Sequence, residues 1–215
     1  MKIISVDFQK EFSAEGGRCY IPRPCIPFIK DVFAPFLRER GFRIAEIISD
    51  YRLPHQGSGF HACVPGTRGY ESEIPADVKY ENVWIKALSS PGWIREHGGD
   101  PNKEPGLPYP DPHAFSDWLA ETVGLPAEDS EIILIGLTID CCVLSVLEEL
   151  RYRGYQASVL HEGVDTYSGN AEEKDFLMRK VVPYWGKSAS WEQIKSTYQF
   201  AGLGAGRCCI NQERE

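Results

Sequence analysis

Short continuous apolar runs alternate along this 215-residue chain with longer stretches whose apolar residues recur at helical spacing. A run of four to eight apolar residues bounded by turn signals fits a strand buried on both faces, and a period near 3.6 fits an amphipathic helix. Residues 2–7, 42–48, 82–86, 131–135 and 155–160 are read as strands, with a sixth at 180–184. Helices are predicted over 26–40, 114–123, 142–153, 171–179 and 191–200; Gly41 and Gly154 close the first and third of them. The stretch 49–79 lacks a sustained period and reads as a long functional loop, and the proline- and glycine-rich 89–112 reads as an irregular excursion. Strands that alternate with helices predict an α/β fold: a three-layer α/β/α arrangement around a six-stranded, mainly parallel, Rossmann-like sheet.

Composition narrows the partners. The net charge of -8 offers no electrostatic footprint for nucleic acid or for an anionic membrane surface. No apolar run approaches the roughly 20 residues of a membrane span, and Met1-Lys2 leads straight into a strand, so a cytoplasmic protein is expected. The length and 42% hydrophobic content suit one large core, giving a domain over 1–202 and a tail over 203–215. Seven cysteines, at 19, 25, 63, 141, 142, 208 and 209, show no repeated zinc spacing and are read as reduced thiols. Cys208 and Cys209 fall in the Gly-rich tail, expected to fray or to pack on a neighbouring subunit.

In open α/β sheets ligands bind beyond the carboxyl ends of the strands. Three residues with matched chemistry fall there: Asp7 after the first strand, Lys86 at the end of the third, and the Cys141-Cys142 pair after the fourth. A cysteine in the first turn of a helix is biased toward thiolate by unpaired N–H groups and the helix dipole, although free cysteines are also common as small buried hydrophobes. A cysteine attacking an amide needs a base for its proton, and the leaving amine needs that proton back, transfers that Asp7 can perform. A Lys86 cation beside Asp7 would lower the thiol pKa and position the acid.

These segments, Val6-Asp7-Phe8-Gln9-Lys10-Glu11-Phe12, Cys63-Val64-Pro65-Gly66-Thr67, Val83-Trp84-Ile85-Lys86, 136–143 and Arg153-Gly154-Tyr155, resemble the isochorismatase-like cysteine hydrolases, which include nicotinamidases and N-carbamoylsarcosine amidohydrolases. The pieces run in the family's order over nearly the whole chain. The resemblance implies Asp7 as proton shuttle, Lys86 as cation and Cys142 as nucleophile, the last chosen over Cys141 because the family's nucleophile stands six residues past the strand-ending glycine, here Gly136. It also implies a cis peptide joining Leu137 to Thr138 and an oxyanion hole formed by the backbone N–H groups of Thr138 and Cys142. The implied reaction is hydrolysis of a small amide, ureido or carbamoyl compound through a thioester, in a homo-oligomer. Vinyl-ether hydrolysis, as in isochorismatases, and a catalytically silent binding protein are the competing readings. The cysteine opposes the first, and the presence of all three site residues opposes the second.

One departure bears on metals. Nicotinamidases of this superfamily carry an Asp-x-His pair and a further histidine directly before the cysteine of the next motif. This chain has Asp50-Tyr51-Arg52 and then His61-Ala62-Cys63. Arginine stays protonated and has no lone pair to give, so no metal and no other cofactor are expected, although Asp50, His55 and His61 could rebuild a site. Arg52 or Arg95 could instead hold a substrate carboxylate, and Phe12 and Trp93 could line the pocket.

Overall fold

Alternate residues of a strand point to opposite faces of its sheet, so a strand that is apolar throughout demands cover on both sides. The first strand, β1 (Lys2–Val6), shows this directly. Ile4 and Val6 join one apolar cluster, and Ile3 joins another on the opposite face. The computed structural model describes residues 1–52, 61–127 and 130–198. In it β1 lies between β2 (Ile44–Ser49) and β6 (Glu131–Leu137), with β3 (Trp84–Lys86) outside β2. β7 (Gln156–Asp165) and β8 (Lys187–Ala189) extend the other side, giving the order β3-β2-β1-β6-β7-β8 with every ladder parallel. A two-stranded antiparallel ribbon, β4 (Trp93–Ile94) with β5 (Tyr109–Pro110), lies within the 89–112 excursion.

Helices cover both faces, as the three-layer reading requires. On one side α4 (Pro112–Thr122), α5 (Cys142–Tyr152), α6 (Ala171–Lys180) and α7 (Val182–Trp185) bury Phe115, Leu119, Val146, Leu150, Met178 and Val182. On the other, α1 (Lys10–Ser13), α2 (Cys25–Pro27), a π-helical stretch (Phe28–Phe33), α3 (Ala34–Arg40) and α8 (Trp191–Tyr198) bury Phe12, Ile29, Phe33, Leu37 and Ile194. Gly41 ends α3 in the left-handed conformation, at φ 68°. The helix predicted over 26–40 is thus one path of mixed winding. The helix predicted to reach 200 is described as far as Tyr198.

One predicted strand is corrected. Lys180 ends α6, Val181 is the turn after it and residues 182–184 belong to α7, while the sixth strand is Lys187–Ala189. Pro183 stands in the first turn of α7, where its missing N–H costs nothing, and Val182 is buried by helical packing. The true edge strand is short and mostly exposed, so no apolar run marks it. β7 also runs five residues beyond the predicted end at Leu160, past a register shift opposite the Leu134 to Gly136 stretch of β6. Gly136 itself has φ 117°, and a Cβ there would come within 2.0 Å of the Val6 carbonyl oxygen, so no other residue fits between β1 and β6 at this point.

Candidate active site

The sheet brings three strand ends together. Val6 pairs with both Ile47 and Gly136, and Ser49 pairs with Lys86, so the residues that follow β1, β2 and β6 emerge side by side at one edge, next to the end of β3. Asp7 leaves β1 with φ 49°, a conformation uncommon for a side chain other than glycine and one that clusters at functional sites, and its N–H donates to the Ile47 carbonyl at 2.8 Å. Asp7 and Lys86 are wholly buried and Cys142 nearly so.

Lys86 is the hub. Its Nζ lies 2.9 Å from Asp7 Oδ2 and donates to Ser49 Oγ and Tyr51 Oη, each at 2.7 Å, with the Leu88 carbonyl at 3.1 Å and Cys142 Sγ at 3.5 Å. Ser49 Oγ in turn donates to Asp7 Oδ1 at 2.8 Å, and Tyr51 Oη lies 3.6 Å from Cys142 Sγ. Burial works against the ammonium, but Asp7, Cys142 and Tyr51 outweigh it and hold the Lys86 pKa well above its ordinary value. The lysine is therefore a fixed cation that touches both the acid and the thiol.

Ser49 and Tyr51 are site residues that sequence reasoning missed. The available signal was their position, Ser49 at the end of the strand that faces Lys86 and Tyr51 two residues beyond it. Gln9 fixes that strand end: its Oε1 accepts from the Ser49 N–H at 2.8 Å while its Nε2 donates to the Ser49 carbonyl at 3.1 Å and the Tyr70 carbonyl at 2.9 Å.

The two sulfurs differ, and in the opposite sense to the bias expected of a first-turn cysteine. A hydrogen bond with Cys141 and then burial push the Cys142 thiol well above its ordinary value, against the pull of Lys86. The same bond, helped by Ser89, draws Cys141 down to about 6. Cys141 is exposed, with Sγ 3.2 Å from Ser89 Oγ. Cys142 thus faces Lys86 with its thiol pKa pushed up, and its exposed neighbour is drawn the other way. Cys142 opens α5, the Leu137-Thr138 peptide is cis, and the Thr138 carbonyl accepts from the N–H groups of Cys141 at 3.1 Å and Val143 at 3.0 Å.

The expected pocket residues fare differently. Arg52 is committed elsewhere: Nε and Nη2 grip the buried Asp50 carboxylate at 2.8 to 3.2 Å, and the guanidinium also donates to the carbonyls of His97 at 2.7 Å, Asp100 at 2.6 Å and Lys103 at 3.0 Å. All its donors are used, so it straps the 97–103 loop and has none left for a substrate carboxylate. Phe12 is buried in the apolar cluster with Phe8 and Cys25. Trp93 stands half-exposed on β4. For a metal, the backbone N–H groups of Arg52 at 3.2 Å and Gly99 at 2.8 Å also donate to the Asp50 carboxylate, His61 is exposed, and His55 lies outside the described residues. Among the described residues no group of three or more His, Cys, Asp or Glu side chains could hold a metal ion.

No family model matches the chain, and no curated protein matches it. Solved structures do. An isochorismatase-like hydrolase from Alkaliphilus metalliredigens superposes with a TM-score of 0.64 at 16% identity, covering 92% of this chain and 97% of the other. A pyrazinamidase of Pyrococcus horikoshii, solved in complex with zinc, gives 0.60 at 17% identity, with 88% and 98% covered. An N-carbamoylsarcosine amidase from Thermoplasma acidophilum gives 0.55 at 20% identity, with 88% and 96% covered. Near-complete coverage on both sides and a six-stranded parallel sheet with helices on both faces give this chain the fold of the solved isochorismatase-like hydrolases.

Proposed function

We propose that this protein is a cysteine-dependent hydrolase that cleaves a C–N bond of a small amide, ureido or carbamoyl compound. The observation that carries the reading is Lys86 Nζ, buried between the Asp7 carboxylate at 2.9 Å and the Cys142 thiol at 3.5 Å. An acid, a cation and a nucleophile enclosed at three strand ends form an acyl-transfer constellation. The hydrolase and amidase names of the solved structures with this fold agree with it.

With the Cys142 thiol pushed above its ordinary value, attack and deprotonation are coupled. The Cys142 sulfur bonds to the carbonyl carbon as its proton passes to Asp7. The carbonyl oxygen becomes an oxyanion that the Thr138 and Cys142 N–H groups receive. Collapse breaks the C–N bond, Asp7 returns the proton to the departing amine or ammonia, and a thioester remains. Water, deprotonated by Asp7, then releases the acid and restores the thiol. Lys86 lies against one oxygen of Asp7 at 2.9 Å and Ser49 holds the other. Zinc, present in the pyrazinamidase structure, does not fit Asp50 here, because Arg52 grips both of its oxygens.

The test is release of ammonia or amine from a panel of small amides and ureido acids. Cys142→Ala is expected to abolish it and Cys141→Ala to retain most of it. Equal turnover by the Cys142→Ala and parent proteins would overturn the covalent mechanism.

A further inference from the structure

Four oxygens compete for the three protons of the Lys86 ammonium. Ser49 Oγ and Tyr51 Oη lie 2.7 Å from Nζ, Asp7 Oδ2 at 2.9 Å and the Leu88 carbonyl oxygen at 3.1 Å, all closer than Cys142 Sγ at 3.5 Å. Lys86 therefore offers the sulfur its charge, while its protons are claimed by nearer oxygens. A thiolate that forms in a buried site still needs a donor aimed at it, since water is not there to supply one.

Tyr51 stands where such a donor is needed, with its hydroxyl oxygen 3.6 Å from Cys142 Sγ. An ammonium has no lone pair, so in the Lys86 contact the Tyr51 oxygen accepts and its own proton is not used. Accepting from a cation also makes that O–H a stronger donor. A thiol can give or accept in the contact with Tyr51, whereas a thiolate can only accept, so the tyrosine is the donor once the sulfur has lost its proton. Burial and then the charge of Cys142 hold the phenol well above its ordinary pKa, which keeps the needed proton in place.

The backbone fixes this hydroxyl from both sides. The Asp50 N–H donates to the Lys86 carbonyl at 2.9 Å, and Tyr51 and Ala62 exchange N–H to carbonyl bonds at 3.2 and 3.3 Å. Arg52 is tied to Asp50 and to the carbonyls of the 97–103 loop. The Tyr51 ring centroid lies 5.0 Å from Lys86 Nζ. A donor held this way meets developing charge without rearranging.

We propose that Tyr51 is a further catalytic residue, whose hydroxyl donates a hydrogen bond to the Cys142 sulfur as the thiol proton leaves for Asp7. The role rests on the cysteine hydrolase reading above. The competing role is a tyrosine that only completes the shell of Lys86, and the two differ in what loss of the hydroxyl does to the thiol. Without Tyr51 Oη, three oxygens remain for the three Lys86 protons, so the ammonium gains none to turn toward the sulfur. Loss of a donor then raises the Cys142 pKa, and loss of a mere acceptor leaves it unmoved or lowers it.

The experiment is the pH dependence of Cys142 alkylation by iodoacetamide in full-length Cys141→Ala protein, with and without Tyr51→Phe. The background change removes the adjacent competing thiol, and the charged groups that act on Cys142, Lys86 and Asp7, are the same in both arms. Tyr51→Phe is expected to raise the Cys142 pKa by about one unit and to lower kcat about tenfold, with KM little changed, on whichever amide the parent turns over. A fluorinated tyrosine at position 51 carries a more acidic hydroxyl on the same ring and should lower the Cys142 pKa. It keeps the ring packing, so it decides the matter where Tyr51→Phe fails to fold. An unmoved or lowered pKa in Tyr51→Phe, an unchanged kcat, or a raised pKa with the fluorinated ring would each overturn the proposal. Alkylation needs no substrate: a parent that releases no amine from any compound of the panel overturns the hydrolase reading, and a raised pKa in Tyr51→Phe would still support the hydrogen bond.

Discussion

The Lys86 ammonium stands 2.9 Å from the Asp7 carboxylate, and solvent reaches neither side chain. Such a pair is held by mutual need: each partner, left alone, is an uncompensated buried charge. Lys86→Met should therefore destabilise the fold by about 3–5 kcal/mol, measured by urea unfolding. The double variant Asp7→Asn with Lys86→Met should recover much of that loss. Activity should fall about 10²- to 10⁴-fold in either, since the proton-transfer step has lost its acid or its cation.

Cys141, not Cys142, should be the first thiol to react with iodoacetamide in the free enzyme. Its pKa of about 6 means that its thiolate, and with it the alkylation rate, rises through that pH and levels off above about pH 7, whereas an ordinary thiol keeps rising through about 8.5. Mass mapping of labelled peptides reads the outcome, and faster labelling of Cys142 would contradict the assignment. Cys141→Ala removes the bond that raises the Cys142 pKa. The alkaline limb of the pH–rate profile, where the Cys142 proton that Asp7 must pass to the leaving amine is lost, should then move to lower pH.

Arg52→Ala should loosen the 97–103 loop and leave the buried Asp50 carboxylate unpaired, costing roughly 3–5 kcal/mol. Arg52→Lys should restore little of it, because a single ammonium cannot reproduce a fork that binds one carboxylate and three carbonyls at once. Limited proteolysis within 97–103, compared between the two variants and the parent, checks both statements.

The central strands and the meeting of Asp7, Lys86 and Cys142 were legible because each rests on a local signal: an apolar run, and the residue at its end. The edge strand Lys187–Ala189 left no such signal, since it is short and mostly exposed. His161 and Glu162 hid the continuation of β7, whose pairing resumes beyond the register shift at Val164 and Asp165. The role of Arg52 was illegible for a different reason. Its partners are Asp50 and three carbonyls 45 to 51 residues away, and backbone oxygens carry no residue identity that a sequence could display. The opposite pKa shifts of Cys141 and Cys142 likewise depend on side-chain directions that spacing along a helix does not specify.

The cation of the site hangs from the outermost strand, a three-residue segment with a sheet neighbour on one side only. Opening free energies within a fold range from near zero at such margins to the global value at the centre. Amide exchange at 84–86 is thus expected to outpace that at 132–135, and each opening takes Lys86 out of reach of Cys142. The fraction of molecules competent at any instant is then set by the fraying of one sheet margin, so ligands or neighbours that seal β3 would raise turnover without touching a reacting atom.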